Sequence, residues 1–288
     1  MMGGKSSLAQ LMTKASMSKH HDFLNPLCLS TTLDNFIVRR TILNALCSQL
    51  RKLSGSIVDI GCGYMPYKSL VLNHAERYIG LDLKGNDYGK PDLEWDGRAI
   101  PLADNSMDGA LAMEVLEHCP EPELVLREAL RVLKPGGLLF LTVPFLWPLH
   151  SVPNDEYRYT PFALERSLRN SGFEQIQLKP LGGWDASLAQ MVGLWVRHRP
   201  MSSSKRMILS RLALPFVRYL AGRDQRPTFS EMTMITGLSG TAIKPPVSAQ
   251  HSLRQVAQSS YSMIGHEISA MRPKIKNTIQ EEKHAGTI

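Results

Sequence analysis

Val58-Asp59-Ile60-Gly61-Cys62-Gly63 decides the fold. An apolar run ending in an acidic residue and two glycines predicts a strand that delivers the chain into a tight turn. Glycine at 61 and 63 removes Cβ where a ligand must approach the backbone closely. GxG alone is a common pattern, and its neighbours give it meaning. A second apolar run, Tyr78 to Leu83, contains Gly80-Leu81-Asp82, and Asp82 stands where a carboxylate at a strand end accepts hydrogen bonds from both ribose hydroxyls. Three positions beyond Gly63 stands Pro66 rather than glycine, so the dinucleotide fingerprint GxGxxG is incomplete, and no GKS or GKT follows to make a phosphate loop.

Outward from this turn, strand-like and helix-like runs alternate. Strands are expected at 56–60, 78–83, 92–95, 107–113 and 137–143, with helices at 34–53, 67–73 and 122–133. Lys134-Pro135-Gly136-Gly137 reads as the turn between the last of those helices and its strand. A long Pro-rich loop then runs to Thr160, a helix spans 161–170, and strands follow at 174–181 and 231–244, with Gly237 and Gly240 marking a bulge or kink. The alternation predicts an α/β fold: a doubly wound, Rossmann-like, seven-stranded, mostly parallel sheet with helices on both faces. The chain divides into an N-terminal arm (1–33), a core (34–181), a basic helical insertion (182–230), a final core strand (231–244) and a polar tail (245–288) with a short helix near 252–264.

The 288 residues are 43% hydrophobic and 20% charged, which excludes disordered, collagenous and disulfide-scaffold classes. Cys28, Cys47, Cys62 and Cys119 show neither CxxC nor an accompanying His spacing; they read as reduced thiols of a cytoplasmic protein, and no metal is expected. No apolar run is long enough to span a membrane. The net charge of +7 is concentrated in 197–226, where eight Lys or Arg face Asp224 alone. Apolar residues interleave with these cations, as in a helix at an anionic membrane surface, although the plainer reading is a solvated helix capping the core. Pro215 is expected to interrupt that helix.

Four segments together, VDIGCG (58–63), GLD (80–82), WDGRAIPLADNSMDGALAMEVLEH (95–118) and EALRVLKPGGLLFLTVP (128–144), resemble the class I S-adenosylmethionine-dependent methyltransferases, type 11 group. The resemblance implies S-adenosyl-L-methionine as cofactor. Gly61 and Gly63 would pass under its methionine part, with Asp59 facing the amino end. Asp82 would hold the ribose and Leu83 pack on adenine. Asp96 and the Gly97 amide would meet the adenine amino group, while Met113 and Glu114 would stand beside the sulfonium. Met65 replaces a third glycine of the family pattern. Asp104 and Asp108 read as turn and backbone-positioning residues, and Cys62 as a small filler of the turn.

On the acceptor side, Glu117, His150 and Glu156 are the candidate catalytic residues. Glu117 and His118 close the EVLEH segment at the carboxyl edge of the sheet, and His150 and Glu156 lie in the long loop 145–160. Such loops carry function more often than short ones. His150 reads either as a general base or as a loop-ordering hydrogen-bonder; Arg158 either binds an anionic acceptor or pairs with Asp155 or Glu156. The expected activity is methyl transfer, at oxygen, to a small-molecule, glycan-linked or lipid-linked acceptor. A non-catalytic methyltransferase-like binding subunit is the alternative. The absence of a complete dinucleotide fingerprint argues against a nicotinamide enzyme, and the absence of NPPY or PC motifs against nucleic acid as substrate. Oligomeric state is not legible.

Overall fold

The computed structural model describes residues 23–86 and 88–246; the predicted helix near 252–264 and the first part of the arm lie outside them. A boundary at Lys244/Pro245 separates the unit described below from the C-terminal segment.

Seven strands form one sheet in the order β3-β2-β1-β4-β5-β7-β6: β1 Ser56–Ile60, β2 Arg77–Leu83, β3 Leu93–Trp95, β4 Met107–Met113, β5 Leu133–Pro144, β6 Glu174–Leu181 and β7 Gly237–Ile243. β1 to β5 pair in parallel, and β7 runs antiparallel between β5 and β6. The central strands are apolar on both faces because both are covered. Val58, Ile60, Leu139 and Leu141 face the helices α3 (Pro122–Val132) and α4 (Pro161–Asn170), while Ile57, Leu111 and Phe140 pack with α1 (Phe36–Cys47) and α2 (Lys68–Leu72). Strand order reverses between β1 and β4, which opens the ligand crevice of such sheets at their carboxyl ends.

Four sequence expectations change. Lys134 to Gly137 are not a turn between elements but an excursion inside β5: Leu133 pairs with Met107 and Leu138 with Gly109, so these four residues bulge opposite Asp108. The last strand starts at Gly237 rather than 231, and its pairing with β5 is regular through both glycines. The bulge lies instead on β6, between Glu174 and Gln177, where Gln175 has φ +48°. Gly237 and Gly240 serve close packing, since a Cβ on them would stand 2.8 Å from the Val143 carbonyl and 2.7 Å from Leu178. Finally, the end of the N-terminal arm is packed: Leu33 is fully buried.

The basic insertion is a helical hairpin, α5 (Trp184–His198) and α6 (Ser203–Arg223). Contrary to expectation, α6 continues through Pro215. An interior proline costs about 3 kcal/mol, offset here by burial of Val217, Leu220 and Ala221 against α5 and the Leu33–Ile37 segment. Its outer face leaves Met207, Ile208, Leu212, Phe216 and Tyr219 exposed.

Candidate active site

The glycine turn after β1 is braced from β2. The Gly61 and Cys62 amides both donate to the Leu81 carbonyl, at 2.8 and 3.0 Å. Asp82, almost fully buried, accepts the Gly63 amide at 2.8 Å on Oδ2 and the Leu83 amide at 2.7 Å on Oδ1. Gly61, Gly63 and Met65 all take positive φ, at +67°, +51° and +53°. Met65 therefore keeps the backbone geometry that a third glycine would favour. Its side chain finds room because β2 carries Gly80: a Cβ there would stand 2.7 Å from Met65 Sδ. Above Gly63 the space is open, with the nearest atom, of Tyr88, 3.9 Å from where a Cβ would be.

Leu83 is half exposed, and its Cδ2 lies 3.3 Å from the position of a Cβ on Gly97. Asp96 is exposed; its Oδ1 accepts the Arg98 and Ala99 amides at 2.8 and 3.1 Å, which holds the carboxyl below the usual range and leaves Oδ2 outward. Asp59 departs from its expected role. It is buried with the Tyr78 hydroxyl donating to it, and burial raises its pKa to about 7, so in this conformation the carboxyl faces β2 rather than an open ligand site. Met113 is half-buried at the end of β4. Glu114 follows with φ +55°, its amide donating to Thr142, its Oε1 buried without a partner, and its pKa raised by burial to about 7.

Two residues on, the 3₁₀ turn Leu116–His118 meets the loop after β5. The Glu156 and Tyr157 amides donate to the Glu117 carbonyl at 2.8 and 3.2 Å, His118 Nδ1 donates to the Asn154 carbonyl at 2.7 Å, and the Tyr157 hydroxyl donates to the Pro120 carbonyl at 3.2 Å. Asp155 ties the loop to itself, accepting Arg158 at 2.7 and 2.8 Å and the His150 amide at 3.1 Å. Arg158 thus takes the structural pairing rather than presenting itself to an anion. Its guanidinium holds the Asp155 carboxyl far below the ordinary carboxylate range.

Glu117, His118 and His150 come together at one point. Glu117 is fully buried with neither carboxyl oxygen hydrogen-bonded, and burial, with Glu114 nearby, pushes its pKa well up. The two imidazoles stack edge to face with centroids 4.7 Å apart. Burial, with His118 beside it, lowers the pKa of His150. Glu156 is not part of this cluster by side chain: it is exposed, and contributes only its amide.

The sequence singles out His118 beside Glu117, and Asp155 as a partner for Arg158, without placing either at one point with His150; Tyr88, near the glycine turn, carries no sequence signal. Asp108 is structural, as expected, accepting Ser56 N and pairing with Lys134 at the opposite edge of the sheet. Asp104 pairs with Arg131. Cys62 is buried, which pushes its thiol up and leaves it unreactive.

The profile of a methyltransferase domain family matches residues 58–141. An uncharacterized methyltransferase of Mycobacteroides abscessus is 34% identical over 100 residues, 30% of this chain and 39% of that protein. One from Mycobacterium leprae is 33% identical over 167 residues, 50% and 62% of the respective chains. The chain thus spans less than two thirds of the length of these curated relatives. Among solved structures, the [4+2]-cyclase SpnF is similar with a TM-score of 0.48 and 21% identity, over 73% of this chain and 84% of that one. The fold is carried by the strand order itself. Residues 58–141, with the glycine turn and Asp82 among them, match a methyltransferase domain, and the chain is similar over this stretch to proteins named methyltransferases.

Proposed function

We propose that this chain transfers a methyl group from S-adenosylmethionine to an oxygen of a small-molecule, glycan-linked or lipid-linked acceptor. The observation that carries this reading is the continuity of the crevice edge: β4 runs from the sheet directly through Met113 and Glu114 into the Glu117–His118–His150 cluster.

The residues fit the cofactor. The open space above Gly63 is a cradle that a side chain would fill. Each Asp82 oxygen keeps a lone pair after accepting its amide and can take a ribose hydroxyl. Leu83 and Gly97 form an apolar wall for adenine, with Asp96 Oδ2 free for its amino group. The cofactor, when bound, supplies a methyl on a positively charged sulfur, so the protein's work is alignment and exclusion of water. The loop 145–160, clamped onto the 3₁₀ turn, closes the acceptor side. His150, kept neutral by its surroundings, is suited to take a hydroxyl proton at its free ring nitrogen. Burial pushes the Glu117 carboxyl up, directly beside the two imidazoles.

The outer face of the α5–α6 hairpin supports a lipid-linked acceptor. Trp184, Leu188, Met191 and Trp195 form one exposed stripe on α5, next to the exposed apolar face of basic α6. We read this as contact with an anionic membrane surface. No helix among the described residues is long and apolar enough to cross a membrane. Flotation with anionic vesicles should weaken in Lys205→Glu/Arg211→Glu and in Phe216→Ser. Unchanged flotation removes the membrane reading.

Calorimetry with S-adenosylmethionine and S-adenosylhomocysteine tests the main proposal, with NAD as the competing ligand. Micromolar binding lost in Asp82→Ala supports it. No binding favours a non-catalytic subunit, and preference for NAD overturns the assignment.

A further inference from the structure

We infer that Glu117, His118 and His150 form a binding site for one divalent first-row transition ion, zinc included. One ligand atom from each lies within 4.8 Å of the others, and three donors of these types are what a zinc-like ion takes from a protein. No metal-binding spacing is legible in the sequence, because the two histidines lie 32 positions apart.

Three independent features point to a cation. First, both oxygens of a fully buried carboxyl are without a hydrogen bond. Leaving a buried polar group unpaired is costly, and such groups are rare without an ion, a water or a function to explain them. Second, Arg158, whose charge reaches this carboxyl, gives it no hydrogen bond: its donors go to Asp155 and to the carbonyls of Trp147, Pro148 and Tyr157. Third, the imidazoles are oriented as ligands. His118 Nδ1 faces a carbonyl oxygen at 2.7 Å, which can only accept, so that nitrogen carries the hydrogen and Nε2 carries the lone pair. Nε2 lies 3.7 Å from Glu117 Oε1. Beside His150, Asp155 Oδ2 lies 3.3 Å from Nδ1. A carbonyl or carboxylate behind each ligating ring is the usual outer shell of a metal site.

The donor set selects the ion. Two neutral nitrogens and one carboxylate suit zinc, manganese, cobalt or iron(II) better than magnesium or calcium, which prefer all-oxygen shells. With three protein ligands, and with the histidine side chains 27% and 30% exposed above a buried carboxyl, coordination positions remain open toward the crevice. Such an ion would bind an acceptor hydroxyl and lower its pKa, taking over the task of a single base. That catalytic role rests on the proposed methyltransferase reading; the binding site stands on the three side chains alone.

The test uses the full chain, stripped with chelator and titrated with Co2+, Zn2+, Mn2+ and Mg2+ by calorimetry, with the ligand-field spectrum of the Co2+ form as a second readout. One equivalent of Co2+ or Zn2+ should bind, with Mg2+ far weaker and a cobalt spectrum of mixed nitrogen and oxygen coordination. His118→Ala and His150→Ala should weaken binding by about 100-fold or more, and Asp155→Asn by about 10-fold or more, while His74→Ala, on the surface, leaves it unchanged. No stoichiometric binding to the parent chain, or affinity unaltered in both histidine variants, overturns the inference. S-adenosylmethionine binding measured on the same samples separates the two readings: its retention without metal binding removes only the ion, and metal binding without it removes only the methyltransferase assignment.

Discussion

Asp155→Asn tests the organisation of the acceptor side more directly than any substitution in the cofactor turn. The Asp155 side chain is 2% exposed and that of Arg158 24%, so the pair is mostly withdrawn from water. Asparagine keeps the shape but removes the charge and one of the two acceptors that Arg158 uses at 2.7 and 2.8 Å. Leaving one member of a buried pair uncompensated costs about 3–5 kcal/mol, and the partial exposure of Arg158 places the expectation near the lower end, about 3 kcal/mol. In a unit of this size each kcal/mol moves Tm by about 2–4 °C, so the melting temperature at pH 7 should fall by roughly 6–12 °C. The pH dependence has a fixed sign. Arg158 depresses the folded-state pKa of Asp155, so the unfolded chain binds the proton first as pH falls. The stabilisation is complete above the unfolded value near pH ~4 and is lost in more acid solution. The gap between parent and variant should therefore narrow below about pH 4. Calorimetric melting of the parent, Asp155→Asn, Arg158→Met and the double variant measures both the loss and the coupling. A loss below about 1 kcal/mol, or singles whose effects simply add, would refute the claim that this pair holds the loop.

Other consequences are as specific. Gly61→Ala forces a side chain into φ +67° with Cβ 2.6 Å from Val115, whereas Gly85→Ala, at φ +77°, meets nothing within 4 Å. Calorimetry should find cofactor affinity reduced in the first and unchanged in the second, both sharing a strain of about 1–2 kcal/mol in melting. Asp59→Asn removes a buried acid whose pKa is raised from 3.8 to about 7. The folded parent keeps a proton that the unfolded chain releases, so parent stability falls as pH rises through that window, by up to about 4 kcal/mol, and the variant should lack this slope in melts from pH 4 to 8. Gly193→Ala would drive its Cβ into the Leu33 carbonyl, where Gln190 Nε2 already holds the Asp34 carbonyl at 2.6 Å. Overpacking of this kind costs up to about 3 kcal/mol, and limited proteolysis should cut the segment before α1 faster than in the parent.

The parts of this molecule legible in its sequence are those written in contiguous residues. Strands such as Ser56–Ile60 and Met107–Met113 announce themselves because a sheet covered on both faces needs unbroken apolar runs. The turn at 61–63 announces itself because its contacts are made by consecutive backbone amides, and glycine is the residue that permits them. Misreadings came where distant partners decide the local conformation. Lys134 to Gly137 carry turn residues, yet the pairing of Leu133 with Met107 and of Leu138 with Gly109 on either side of them, and the bonds of Gly136 and Gly137 to the Lys244 backbone, make them part of β5. Pro215 is a helix breaker in isolation, but the buried side of α6 outweighs it.

The acceptor side was less legible for a related reason. Of the bonds that clamp loop 145–160 onto the 3₁₀ turn, those from residues 156 and 157 to the Glu117 carbonyl, and the one accepted by the Asn154 carbonyl, use main-chain atoms of the loop. Main-chain atoms are common to every residue type, so positions 154 and 156 carry architecture without carrying a residue preference. Glu156 is the instructive case: its chemistry suggested catalysis, but its amide is what the site uses. The converse holds for Asp155, whose side chain makes bonds that no main-chain atom could replace. Glu156→Ala should therefore leave the loop and the Glu117–His118–His150 cluster intact, while Asp155→Asn, one position away, disturbs both. Proteolytic susceptibility of the loop reads that contrast: a Glu156→Ala loop cut as fast as the Asp155→Asn loop would give the Glu156 side chain a part in the clamp, and an Asp155→Asn loop cut no faster than the parent would remove Asp155 from it.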